Sequence, residues 1–335
     1  MKAGFILLSA AAAKVYASRA AVGPWGTGCL VSSEDPARSE TGRLINGEPR
    51  RRQNLPGNIT VDVNFHIAST VEDENLITQE IVDAQWKVLH DTYAKHDIHL
   101  VLNSTQRVVD DLTGNFFLIY EGPENGWVFY EEERNEYLKS TRLGGYDAMN
   151  LYFYSKYSPG ASGYCQWPTA IAEGDDLTFG LDSCHMNANT MPGFPVDAGA
   201  SEYANLGHTT VHEAGHWFGL NHTFVGGCSE QGDFVADTPA QRTEIYDCPI
   251  GSDSCPDMPG LDPIHNFMGY NADNWYAHLF FASLDERSLK NTLTIVYQAL
   301  TNSRPGNESA CLMYSSTTGG TSRTTMLLRR MTTCA

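Results

Sequence analysis

Eleven consecutive residues constrain this chain more than anything else in it: His212-Glu213-Ala214-Gly215-His216-Trp217-Phe218-Gly219-Leu220-Asn221-His222. Residues four apart project from one face of an α-helix, so His212 and His216 present two imidazoles side by side. Two imidazoles placed that way hold one zinc ion. Glu213, offset by one position, reaches the water in an open coordination site. Gly219 suits the left-handed turn that ends a helix. The chain then swings back and delivers His222 as a third nitrogen ligand. Three protein ligands plus one water is the pattern of a catalytic zinc, not a structural one. A bare histidine pair would fit any amphipathic helix; the extended spacing fixes five positions at once.

A second element lies downstream, at Asn266-Phe267-Met268-Gly269-Tyr270. The extended zinc motif followed by a methionine-containing turn resembles the signature of the metzincin clan. That resemblance implies that Met268 forms an apolar floor beneath the zinc ligands. Tyr270 resembles the tyrosine that some metzincins use to stabilise an oxyanion. Within the clan the chain is similar to the pappalysin-like proteases, and to the secreted extracellular metalloproteases of fungi. The residues that carry this are His212 to His222, Cys228, Asp237-Thr238-Pro239, Cys248-Pro249, Asp253-Ser254-Cys255, and Asp262 through Met268. The resemblance covers residues 55 to 285, the bulk of the chain.

What the resemblance implies is specific. The fold expected is α+β, with an α/β-like upper lobe: a mixed twisted sheet, backing helices and an active-site helix. An irregular, disulfide-stapled lower lobe completes the metzincin zinc-protease fold. The activity implied is hydrolysis of peptide bonds in extracellular proteins or peptides, by a zinc-bound water that Glu213 activates. A Cys228–Cys255 bridge is implied between the zinc helix and the Met-turn. The chain departs from the family at Gly269, where an acidic residue is usual, and at Asn271-Ala272-Asp273, where an acidic pair often stands. The rival reading is a catalytically inactive secreted zinc-binding protein of the same fold. Glu213 speaks against it, because a structural site has no use for a general base.

Charge and compartment narrow the field further. Against 22 basic residues stand 40 acidic ones, a formal net charge of −18. Phosphate binding needs basic surface, so neither nucleic acid nor an anionic membrane is an expected partner, and a monomer is expected. Lys2, the apolar run Ala3 to Ala13 and Val15-Tyr16-Ala17 read as a secretory signal peptide over residues 1–17. In an oxidising compartment most of the eight cysteines should be bridged, with a connectivity that spacing alone does not give. Sequons occur at Asn58, Asn103, Asn221 and Asn307. A glycan at Asn221 would crowd the zinc motif, so that one is expected to be unused, while the other three lie in plausible surface segments.

Residues 18–52 are polar and end in Arg50-Arg51-Arg52, a candidate cleavage point for a propeptide. Cys29 lies there, either as a latency switch on the zinc or as half of an ordinary disulfide. Upper-lobe elements are expected over residues 53–222: strands at 60–67, 98–102, 148–154, 163–168 and 178–184, helices at 75–95 and 131–142, and the zinc helix at 206–219. Asp73 or Asn75 would cap the first helix. Gly163 to Pro168 reads as an edge strand to which an extended substrate can add. Residues 223–302 form the lower lobe, ending in a helix at 283–300, and residues 303–335 read as a disordered Ser/Thr-rich tail. Asp233, Asp237, Asp253 and Asp257 are candidate calcium ligands without EF-hand spacing.

Overall fold

In the computed structural model, residues 59–157, 161–169, 171, 174–200, 204–247 and 249–273 are described. The expected signal peptide, propeptide, final helix and tail lie outside them, as do Cys29, Cys248, Asn58 and Asn307. The first elements are β1 (Ile59–Ser69), α1 (Gln79–Ala94), β2 (Ile98–Val109), α2 (Asp111–Gly114), β3 (Leu118–Tyr120) and β4 (Trp127–Phe129). There follow α3 (Glu131–Thr141), β5 (Met149–Tyr154), β6 (Gly163–Cys165), α4 (Asp176–Leu181), β7 (Cys184–Asn187) and α5 (His208–Trp217).

A five-stranded sheet runs in the order β2-β1-β5-β7-β6. Four strands are parallel and β6 is antiparallel to β7, so the expected mixed sheet with an antiparallel edge is present. Central position explains burial. β1 alternates buried and exposed residues over Ile59 to Asp62 and is buried from Val63 onward, where β5 joins its other side. β5 is buried at every residue. One face packs Phe65, Leu151 and Phe153 against Leu89 of α1 and Trp217 of α5. The other carries stacked rings: His66, Tyr152, His185 and Tyr164 sit opposite one another across β1, β5, β7 and β6. Their successive centroids are 4.1, 5.3 and 4.6 Å apart. Burial holds His66 down to about pKa 4 and lowers His185 too, so both rings pack as neutral groups.

Two bonds fix α5 on this scaffold. The Tyr93 hydroxyl donates to the Val211 carbonyl (3.0 Å), and the Gln85 amide donates to the Gly207 carbonyl (3.1 Å).

The structure corrects several boundaries. Residues 178–184 are not one strand: α4 occupies Asp176–Leu181 and β7 starts at Cys184. Asp175 decides this, its carboxylate accepting the Thr178 N–H (3.0 Å) as a helix cap. Gly180 then lets α4 close on α3, because a Cβ there would lie 2.6 Å from Lys139 Cγ. Thr78, not Asp73 or Asn75, caps α1, while Asp73 is engaged by the Thr70 hydroxyl (3.0 Å). The antiparallel β3–β4 hairpin has three residues a side, too short to show a periodicity in the sequence.

Beyond α5 the character changes. From Phe218 to Ala272 no described residue is in a strand or helix. Cys228 and Cys255 are bonded (S–S 2.04 Å), closing a loop with a sequence separation of 27. Cross-linking a loop of that size stabilises by about 3–4 kcal/mol in the chain-entropy account. The Asp262 carboxylate accepts the Ser254 N–H (3.1 Å) and hydroxyl (2.6 Å), and also the Ser252 hydroxyl.

Candidate metal centre

Helix α5 is positioned at both ends. Gly207 precedes it with φ +86° and offers no side-chain cap, and the missing acceptor comes from far along the chain. The Asp273 carboxylate accepts the Leu206 N–H (2.7 Å) and the His208 N–H. Burial pushes that carboxyl up to about pKa 7, against the pull of the two amides. At the other end Gly219 has φ +89°. Leu220 N–H bonds Gly215 O (2.9 Å) and Gly219 N–H bonds His216 O (2.8 Å), which is a Schellman motif. That reversal turns the chain back along the helix.

The turn brings His222 to the helix-borne pair. The Nε2 atoms of His212, His216 and His222 lie 3.0, 3.1 and 3.2 Å from one another. His212 Nδ1 faces the Phe267 carbonyl (2.6 Å) and His216 Nδ1 faces the Leu220 carbonyl (2.8 Å). A carbonyl only accepts, so each Nδ1 carries the proton and each Nε2 keeps its lone pair. Burial lowers His212 to about pKa 4, keeping that ring neutral. The point equidistant from the three Nε2 atoms lies about 1.8 Å from each, close to the Zn–N length of about 2.0–2.1 Å. Converging lone pairs repel unless a cation lies between them, so this donor set fits zinc. Among the described residues it is the one group of His, Cys, Asp or Glu gathered closely enough to hold an ion. Asp233, Asp237, Asp253 and Asp257 form no such cluster; Asp233 instead accepts the Val235 N–H (2.9 Å) and Asp253 the Cys255 N–H (3.2 Å).

The lower region supplies the surroundings. Met268 packs against Gly215, where a Cβ would stand 2.3 Å from its sulfur, so a side chain at 215 would evict the methionine. Thr223 N–H bonds the Met268 carbonyl (3.2 Å), holding the two segments together. The Tyr270 ring lies 4.7 Å from His222 and 6.0 Å from His212. Glu213 is fully buried, its carboxylate against Gly163 of β6. His208 stands apart from the triangle, beside Asp273 (3.8 Å) and the Phe267 ring (5.1 Å). Asn221 is buried, its amide donating to the Asp233 carbonyl (3.1 Å).

Four features escaped the sequence reading. Trp167 lies 5.4 Å from the His216 ring, Gly163 borders Glu213, Asp273 caps α5, and Cys165 is bonded to Cys184 across β6 and β7. Each depends on the register β6 takes beside β7 or on the lower chain's return to α5. The one visible signal was the pair of cysteines.

Three facing imidazole nitrogens beside a buried carboxylate, over a methionine turn, define a metallopeptidase of the metzincin type. Sequence comparison narrows this. Residues 184–281 match the peptidase M43 family, described as pregnancy-associated plasma protein-A. An extracellular metalloprotease of Colletotrichum graminicola is 36% identical over 284 residues, 82% of this chain and 93% of the relative. One of Pyricularia oryzae is 38% identical over 242 residues (72% and 76%), and one of Neurospora crassa 40% over 220 (65% and 70%). The chain belongs to this pappalysin-like family of extracellular metalloproteases and is a metalloendopeptidase. A solved structure of mirolysin in complex with compound 9 matches with TM-score 0.48 and 19% identity, over 73% of this chain and 99% of that one.

Proposed function

We propose that this metalloendopeptidase is a secreted zinc enzyme with His212, His216 and His222 as ligands, Glu213 as general base and acid, and Tyr270 as oxyanion donor. The observation that carries the reading is the convergence of three buried Nε2 atoms one residue from a buried carboxylate. Zinc, when bound there, supplies a Lewis acid that polarises the scissile carbonyl and brings the pKa of water to about 7. Glu213 takes a proton from the attacking water and delivers it to the departing amine. The Tyr270 hydroxyl donates a hydrogen bond to the oxyanion. Among the described residues β6 is the edge of the sheet beside the site, where an extended substrate can add as another strand. Relatives named extracellular and the amino-terminal signal pattern support secretion. In this reading residues 1–17 are the signal, 18–52 the propeptide, 53–222 the upper lobe and 223–302 the lower lobe.

Casein hydrolysis with metal analysis tests it. The purified protein should carry one zinc per chain and lose activity to a chelator. Glu213→Gln should keep the zinc and lose at least about a thousandfold in turnover. A Glu213→Gln protein as active as the parent would refute the assignment, and an inert parent with full zinc would favour the non-catalytic rival.

A further inference from the structure

β2 is one outer strand of the sheet, paired on one side alone among the described residues. It is twelve residues long, well beyond the usual strand of about 5–6. Long open edges invite pairing with another chain, and proteins blunt them with charge, proline or bulges. Ile98–Val109 contains no proline and one formally charged residue, Arg107. That charge is engaged within the chain, its guanidinium donating to the Ile77 carbonyl (2.7 Å) and to Gln79. Val101 and Val109 are both 43% exposed.

The register breaks at one point. Val63 pairs with Leu102 and Asn64 with Ser104, leaving Asn103 as the extra, bulged residue. Asn103 is exposed, and Ser104 beside it is tied inward by its hydroxyl to Asn64 (2.9 Å). Asn103-Ser104-Thr105 is also an N-glycosylation sequon. The contrast with Asn221 is sharp, since that sequon asparagine is buried with its amide committed to the Asp233 carbonyl.

We propose that Asn103 carries an N-linked glycan, and that this glycan guards the open β2 edge against pairing with a second chain. The bulge falls at the one residue of the strand to which an N-linked sugar can be attached, midway along an edge whose single charge is Arg107. The inference rests on the secreted reading, since the modification occurs in the secretory pathway.

The full chain is expressed in a secreting eukaryotic host, and the secreted protein is treated with peptide N-glycosidase in ¹⁸O-water and mapped by mass spectrometry. Asn103 should convert to labelled aspartate and Asn221 should not. Secreted protein with unlabelled Asn103 overturns the site while leaving secretion standing. Protein retained in the cytosol overturns both. For the guard, Asn103→Gln and Thr105→Ala should each aggregate at least about threefold faster than the glycosylated parent by light scattering. Asn103→Lys, which restores a charge without a sugar, should recover the parent's behaviour. Sugar-free Asn103→Gln and Thr105→Ala proteins that stay as monodisperse as the glycosylated parent, or an Asn103→Lys protein that aggregates like Asn103→Gln, overturn the guarding role.

Discussion

Residues 59–217 and residues 218–273 meet at the three histidines and are held together differently. The upper region buries Phe65, Leu151, Phe153 and Met149 completely, inside a sheet whose backbone groups pair strand to strand. The lower region buries a few apolar residues, among them Leu220, Ile264 and Met268, beside a larger share of polar ones: Asn221, Thr223, Asp233, Gln241, Asp262, Asn271 and Asp273. A disulfide and side-chain bonds such as Thr223 to Gln241 (2.8 Å) replace the sheet. An apolar core forms from the chain alone, whereas a polar one depends on each partner being in place. The site inherits both: His212 and His216 stand on the rigid side, and His222, Met268 and Tyr270 on the cross-linked side.

The largest effect should come from removing the metal. In the proposed reading zinc ties His222 to the helix, so stripping it should loosen the lower region and leave the sheet intact. Hydrogen exchange should show amides of residues 219–273 losing protection by at least about a thousandfold, given the size of zinc–ligand energies. Amides of β1 and β5 should change less than tenfold. Equal loss in both regions would mean that they share one cooperative core, and the contrast would fall.

A smaller effect separates two buried carboxylates. In the upper region Asp182 is raised to about pKa 6 by burial, against the pull of its ion pair with Arg142 (2.5 Å). In the lower region Asp233 is raised to about 7 by burial, and its hydrogen-bond partners, Val235 N–H and Thr238, are neutral. A carboxyl raised on folding binds its proton more tightly in the folded chain. Its stabilising contribution is therefore full below about pH 4 and lost as pH rises through 7. Asp233→Asn should flatten that fall, with a gain on the order of 2–4 kcal/mol at pH 8 and none at pH 4, by urea denaturation. Asp182→Asn should lower stability at pH 8, because it strands the buried guanidinium. The same sign for both substitutions at pH 8 would erase the difference between the regions.

That asymmetry also decided what the sequence could reveal. The spacing of Ile81, Val82 and Leu89 marked α1 because burial against one face imposes a period; alternation along Thr60 to Ile67 marked β1, although burial itself alternates only as far as Asp62. The histidine helix and its glycine stop were readable because every signal there is local. α4 was misread as strand because one Asx cap outweighed the β-formers around it. The Asp273 cap was invisible, and Cys165 could be seen but not paired with Cys184, because no period links residue 206 to 273, or 165 to 184. In the lower region, where polar pairs replace periodic apolar faces, only composition, the cysteines and the local motifs at His222 and Met268 could be read.

The smallest effect contrasts two glycines beside the site. A Cβ on Gly163 would lie 3.0 Å from Glu213 Cγ and Oε1 and 3.0 Å from the His185 carbonyl. The carbonyl belongs to β7 within the sheet and cannot retreat, so the Glu213 side chain must move. A Cβ on Gly269 would meet the Asn271 amide oxygen at 2.9 Å and the Asn266 carbonyl at 3.3 Å, neither of which belongs to a histidine of the triangle or to Glu213. Gly163→Ala should therefore lower kcat by about tenfold or more through misplacement of the carboxylate, with zinc content unchanged. Gly269→Ala should leave kcat within about twofold. Both proteins should unfold within about 1 kcal/mol of the parent, since neither alanine enters the apolar core. If Gly163→Ala keeps full activity, the upper region yields as readily as the lower. If Gly269→Ala loses as much, the Met-turn is as rigid as the sheet. Either result places the mechanical boundary of the site somewhere other than between β6 and the Met-turn.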